Sequence, residues 1–206
     1  MRIGVFGGTF DPVHVGHLMV AEQCREQAGL DRVLFIPAAR PPHKQDRVLT
    51  PFVHRAEMLA LAIAGQPAFQ VDDLEKERPG PSYTVDTLEE LHQRHPAAEL
   101  GLVIGSDCLP DLQFWREPAR IIKLAGLVIA ARPGWSMWTP EQLRLTLGLS
   151  SAEILHIQVV AMPLIDISSR DLRGRVAQRR SIRYLVPRAV ECYIDTQRLY
   201  QDEAES

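Results

Sequence analysis

Short apolar runs rich in β-branched residues alternate along this chain with longer segments of helical period, and that alternation constrains the fold more than any other feature. The runs cover residues 2–6, 32–36, 69–71, 100–104, 127–131 and 154–160. Several are apolar almost throughout, as strands buried on both faces must be. Leu18, Ala21, Cys24 and Ala28 make a rough helical stripe after the first run, and Phe52, Ala56, Leu59 and Ile63 a cleaner one after the second. Thr50 followed by Pro51 supplies a cap and a first turn for that second helix. Val85, Leu88 and Leu91 stripe a third. Two helices are expected after the last run, near residues 169–178 and 187–196, with Pro187 in a first-turn position and Val190, Tyr193 and Ile194 facing inward. Residues 132–151, with Trp135, Trp138 and two prolines, read as a loop plus a short helix, and residues 201–206 as a frayed polar tail.

This pattern predicts an α/β fold of three layers around a parallel sheet, with right-handed crossovers. Residues 1–200 are expected to form a single domain, residues 168–200 being a small C-terminal helical extension. Ligands of such sheets bind beyond the carboxyl ends of the strands, so functional residues should lie just after each run.

Charge narrows the function. The chain has 23 Lys plus Arg against 26 Asp plus Glu, a formal charge of −3, unlike a general nucleic-acid or membrane-surface binder. No apolar run approaches the roughly 18 residues of a membrane span. The N-terminus lacks a signal-peptide pattern, and the first strand begins at Arg2. Cys24, Cys108 and Cys192 are odd in number and widely spaced, which suits a reducing cytoplasm rather than a disulfide framework or zinc site.

The segment Gly7-Gly8-Thr9-Phe10-Asp11-Pro12-Val13-His14-Val15-Gly16-His17 follows the first run and opens the first helix. Its glycines let backbone approach a ligand closely. A helix starting near Gly16 offers amides and a positive dipole end to an anion, and His14 and His17 add donors that carry charge near neutral pH. The segment is neither a Gly-x-Gly-x-x-Gly fingerprint nor a Walker loop. Two histidines three apart could ligate a metal, but no Cys, Asp or Glu joins them at familiar spacing, so no protein metal site is expected.

Gly8, Phe10, Pro12, His14, Gly16 and His17 match the signature Gly-x-Phe-x-Pro-x-His-x-Gly-His, and the segment resembles the nucleotidyltransferase superfamily. A second segment, Ile167-Ser168-Ser169-Arg170-Asp171-Leu172-Arg173, follows the last run. Ser168 or Ser169 can cap a helix there, and Arg173 lies one turn in, with a donor fork suited to phosphate. Taken alone, the segment is better explained as an ordinary capped surface helix. It resembles the superfamily's Ile-Ser-Ser-Thr-x-x-Arg signature, which implies a grip on the ATP phosphates, with Arg170 in place of the usual Thr. Arg175, Arg179, Arg180 and Arg183 continue as a basic face without an assigned role.

Other segments narrow the acceptor. Pro41-Pro42-His43-Lys44, Pro81-Ser82-Tyr83-Thr84-Val85-Asp86-Thr87-Leu88, Gly105-Ser106-Asp107 with Trp115 beyond, Ala131-Arg132-Pro133-Gly134 and the run from Ser181 to Pro187 occur in that order. They resemble the bacterial nicotinate-nucleotide adenylyltransferase branch, over residues 2–200. Ala39 and Arg40 stand where that branch often has Asn. On chemistry alone, Trp115 is either a stacking face for a pyridine ring or a core or interface anchor, and Thr84 either a carboxylate donor or a helix cap.

The resemblance implies a Rossmann-like fold and adenylyl transfer from ATP to nicotinate mononucleotide, without a covalent intermediate. It implies His14, His17 and Arg173 as catalytic residues. Gly7, Gly8, Thr9, Phe10, Gly16, Gly105, Asp107, Ser168 and Ser169 would join them in binding ATP. Lys44, Tyr83, Thr84, Trp115 and Arg132 would bind the nicotinate nucleotide. Mg²⁺ is expected to accompany ATP, and a homo-oligomer stays open. Two alternatives also stay open: a relative acting on pantetheine phosphate and a non-catalytic nucleotide sensor. A class I aminoacyl-tRNA synthetase fragment shares a similar turn, but the chain is too short for one and lacks its lysine-rich second signature.

Overall fold

A computed structural model describes residues 1–42, 48–131, 134, 138–150 and 154–201. The expected tail at 201–206 lies outside the described residues except for Gln201. The order is β1 (Arg2–Gly8), α1 (Val15–Gln27), β2 (Arg32–Pro37), α2 (Phe52–Ile63), β3 (Phe69–Val71), α3 (Thr84–Arg94) and β4 (Glu99–Gly105). There follow α4 (Pro118–Leu124), β5 (Gly126–Ala131), α5 (Pro140–Leu147), β6 (Ile157–Ala161), α6 (Ser169–Ala177) and α7 (Arg188–Thr196). The six strands form one parallel sheet, ordered β3-β2-β1-β4-β5-β6. The expected Rossmann-like α/β architecture is present, with its switch point between β1 and β4.

Alternate strand residues feed two apolar layers, because successive side chains leave opposite faces of a strand. Phe6, Val33, Phe35, Val103 and Val128 meet Ala21 and Cys24 of α1, Met58 and Leu59 of α2, Leu172 of α6, and Val190 and Ile194 of α7. Val5, Leu34, Leu102, Ile104 and Ile129 meet Val85, Leu88 and Leu91 of α3, Ile121 of α4 and Leu143 of α5. Both faces of the sheet are thus covered, which is why the strands read as continuous apolar runs.

Several expectations need correction. β6 begins at Ile157 rather than 154, and α4 escapes a reading by periodicity because a helix from Pro118 to Leu124 is too short to establish a period. Pro51 caps α2 in an extended conformation, with the helix starting at Phe52. Pro187 does the same for α7. Most consequential is the inward face of α2, which runs through Arg55 and Met58 as well as Leu59 and Ile63, while Phe52 and Ala56 are only half-buried.

Candidate active site

Four strand ends converge at one edge of the sheet. Gly8 pairs with Pro37, and Gly105 with Ala130. The β1–β4 pairing runs only as far as Val5 with Leu102, so both strands go on past their last pair towards this edge. The first motif leaves β1 here and turns sharply. Phe10 adopts φ 50°, the left-handed region that costs a bulky residue about 1–2 kcal/mol. Its ring is buried and lies over Gly8, where a Cβ would stand 2.8 Å from it. That ring also meets His17 edge-on, centroids 5.1 Å apart. Gly8 and Phe10 are therefore one device: the missing side chain makes room for the ring that supports the histidine.

His14 caps α1 and is buried. Its ring stacks on His17 at 3.7 Å between centroids and 26° between planes. The His14 backbone N–H donates to His17 Nδ1 at 3.2 Å. Nδ1 is thus the acceptor, so in neutral His17 the proton sits on Nε2, which is a donor. A Cβ at Gly16 would stand 3.0 Å from His14 Nδ1, so Gly16 leaves space for this ring. The expectation of an open helix start holds only in part. The Val15 amide donates to the Leu185 carbonyl at 3.0 Å, and the His17 amide to the His14 carbonyl at 2.9 Å.

The second motif sits directly on the first. Ser168 is the α6 cap: its hydroxyl accepts the Asp171 amide at 3.1 Å and donates to the Asp171 carboxylate at 2.7 Å. The Ser169 hydroxyl donates to the Pro12 carbonyl at 2.9 Å, and Arg173 Nη1 donates to the Asp11 carbonyl at 2.7 Å. Arg170 is exposed, beside a cleft of about 650 Å³ that Ser168, Asp171 and Arg175 also line. His14, His17 and Arg173 therefore share one locality, though 156 residues separate His17 from Arg173.

Sequence reasoning overlooks the groups behind this turn. Arg55 is 1% exposed and donates to the Thr9 and Ala38 carbonyls, each at 2.8 Å, and to the Thr50 carbonyl at 2.8 Å. Burial lowers its affinity for the proton, while the nearby Asp11 charge opposes that shift. The buried Asp11 carboxylate accepts the Tyr200 hydroxyl at 2.8 Å and the Thr50 amide at 3.3 Å. One signal is readable: Arg55 stands four residues before Leu59 on the apolar stripe of α2, where a charged side chain is out of place unless it is bonded. No local pattern marks Tyr200.

Among the residues expected to bind the acceptor, Tyr83 caps α3 and Thr84 is its first residue, both half-buried. Trp115 follows the 3-10 turn Leu112–Phe114 and packs, like Tyr83, on the second apolar layer. The Arg116 guanidinium lies 4.7 Å over the Tyr83 ring and 3.9 Å from the Asp86 carboxylate, joining the two segments. Asp107, half-buried, lies in the 3-10 turn Ser106–Cys108 after Gly105. Lys44 and Arg132 lie outside the described residues, as do His43, Pro133 and Trp135. Among the described residues no cluster of three or more His, Cys, Asp or Glu could hold a metal ion, and no helix is long and apolar enough to cross a membrane.

A parallel sheet of this order, with a paired-histidine turn at its switch point and a cationic helix start bonded to that turn, defines a nucleotidyl-transfer class of protein. The chain belongs to the cytidylyltransferase-like family, whose model matches residues 5–175. It is 47% identical over 200 residues to the probable nicotinate-nucleotide adenylyltransferase of Thermomicrobium roseum, covering 97% of this chain and 92% of that one. It is 45% identical over 201 residues to a protein of the same description from Thermus thermophilus, covering 98% and 100%. Its fold matches that of Plasmodium falciparum nicotinic acid mononucleotide adenylyltransferase complexed with NaAD, at a TM-score of 0.80 and 21% identity over 99% of both chains.

Proposed function

We propose that residues 1–200 act as one domain that transfers the adenylyl group of ATP to nicotinate mononucleotide, giving nicotinate adenine dinucleotide and pyrophosphate. An oxygen of the acceptor's 5′-phosphate attacks the α-phosphorus. The bond from that phosphorus to the bridging β-oxygen breaks, and pyrophosphate leaves with its electron pair. The attacking oxygen is already anionic, so no general base or covalent residue is needed. Catalysis is positioning plus neutralisation of phosphate charge. His17, donating through Nε2, and His14 beside it stabilise the α-phosphate as charge shifts. Arg173, Ser168 and Ser169 hold the β- and γ-phosphates, the Ser168 hydroxyl also capping α6 through Asp171 and the Ser169 hydroxyl also bonding the Pro12 carbonyl. Gly7, Gly8, Thr9, Phe10 and Gly16 contribute backbone, and Gly105 and Asp107 approach the ribose. A divalent cation, Mg²⁺, would accompany ATP with few protein ligands and offset its phosphate charge.

The observation that carries this reading is the pair of bonds from Ser169 to Pro12 and from Arg173 to Asp11. They close two phosphate-binding helix starts from opposite ends of the chain around one place. The acceptor is read by a Trp115 face for the pyridine ring and by Tyr83, Thr84, Lys44 and Arg132 around its carboxylate and phosphate. One charge-assisted hydrogen bond contributes about 1.5–3 kcal/mol, which favours the acid over the amide by roughly tenfold to a hundredfold. The deciding assay measures pyrophosphate release from ATP with nicotinate mononucleotide, nicotinamide mononucleotide or pantetheine phosphate as acceptor. Preference for the first supports the reading. Preference for pantetheine phosphate, or no release with any acceptor, overturns it.

A further inference from the structure

We infer that Tyr200, at the far end of the chain, is a positioning residue for the reaction: its hydroxyl holds the Asp11 carboxylate, and through it the turn that carries His14, His17 and the Arg173 anchor. This rests on the ATP reading above. The backbone of that turn is gripped at three carbonyls, Thr9 by Arg55, Asp11 by Arg173 and Pro12 by Ser169. The turn's carboxylate, Asp11, is 4% exposed. A carboxylate at such depth is tolerated only when donors and a counter-charge surround it. Here the donors are the Thr50 amide and the Tyr200 hydroxyl, and the counter-charge is Arg55.

The Tyr200 ring is itself fixed, 9% exposed within the α1–α7 apolar layer. Its hydroxyl donates to Asp11, and the Thr50 side chain lies near enough to act on the phenol. A phenol so held is a rigid strut between the core and the turn. Without its proton, Asp11 Oδ1 must take a donor elsewhere, and the guanidiniums that hold the turn carbonyls are strong donors on the same turn. Arg55 and Arg173 both act electrostatically on this site, on Asp11 and on the phenol respectively. Either diversion loosens the Thr9–Pro12 carbonyl grip, and the first ligand to suffer is the triphosphate. The acceptor side, built on α3 and the turn before Trp115, packs on the other apolar layer, across the sheet from Tyr200.

The test is Tyr200→Phe in the full chain, which keeps the ring in its layer and removes one hydroxyl. Expected is a loss of about tenfold in turnover, with the KM for Mg²⁺-ATP raised several-fold and the KM for nicotinate mononucleotide unchanged, since misplacement of about 1 Å at a reacting centre can cost a hundredfold. Thr50→Val, which spares the core and changes the surroundings of the phenol oxygen, should shift the same parameters by ~threefold, no more than one neutral hydrogen bond would give. It decides the matter if Tyr200→Phe does not fold. A lower melting temperature with unchanged ATP parameters makes Tyr200 merely structural and overturns the inference; so does an equal loss for both substrates. His17→Ala is run in parallel. If it retains normal turnover, the ATP reading fails and the inference with it. If it is inactive while Tyr200→Phe is normal, the inference alone fails.

Discussion

The two halves of the site are built by opposite means. At the end proposed for ATP, His14 and Phe10 are buried, and the turn's carbonyls are bonded to side chains 46, 157 and 162 residues away in sequence. At the end proposed for the acceptor, Tyr83 and Trp115 are half-buried, and they are joined by Arg116, whose side chain is 51% exposed and whose ion pair with Asp86 spans 3.9 Å. An exposed pair of that kind is worth about 0–1 kcal/mol. The contrast follows from the role proposed for each end. A triphosphate whose charge shifts during reaction must meet donors that do not reorganise, so its cradle is fixed by the core. An aromatic ring needs a face at stacking distance, and a looser frame supplies it.

Arg55→Met probes the rigid half most severely. It should destabilise the protein by about 3–5 kcal/mol, since it removes three donated hydrogen bonds and leaves the Asp11 carboxylate without its counter-charge. Denaturant unfolding measures this, and a change below about 1 kcal/mol would remove Arg55 from the account. His17→Ala should fold normally, retain its circular dichroism, and lose roughly 10²–10³ in kcat, the cost of one donor to developing oxyanion charge. Near-normal turnover in a folded His17→Ala protein would erase the distinction between the two halves. On the looser side, Trp115→Ala should raise the acceptor KM by about 5–150-fold with little change for ATP, matching about 1–3 kcal/mol of stacking. Equal losses for both substrates would show that Trp115 supports the fold rather than the ring.

The smallest effect concerns acid stability. Burial pushes the Glu90 carboxyl upward, but its bonds and charge contacts with Arg78 and Arg94 outweigh that and hold it below the usual carboxylate value of 4.5. A depressed folded-state value adds stability above the unfolded value, and this is lost as pH falls through the folded one. Thermal stability of the native protein should therefore drop more steeply below about pH 4.5 than that of Glu90→Gln. Parallel pH curves would show that the Glu90 pairs on α3 contribute nothing measurable.

Much of the fold is legible locally. β1, β2, β4 and β5 stand out because both faces of each are buried, which leaves no polar alternation to obscure the run. The start of β6 does not, since residues 154–156 are apolar enough to extend the run without pairing in it. The paired-histidine turn and the Ser-Ser-x-x-x-Arg helix start are visible as motifs, because each is a contiguous local structure. Arg55 shows only as a charge on the apolar stripe of α2, and the bond between Asp11 and Tyr200 leaves no trace, because a pairing between groups far apart in sequence has no local pattern.

By itself, the amino-acid order determined the parallel α/β framework and the two phosphate-suited turns, since strand burial, helix period and turn chemistry are properties of short stretches. Only the tertiary structure decided that Ser169 and Arg173 close on Pro12 and Asp11, that a buried guanidinium on α2 secures the same turn, and that the chain's last tyrosine reaches back to it. Those pairings depend on which chain segments the sheet order brings side by side, and only the folded chain fixes that.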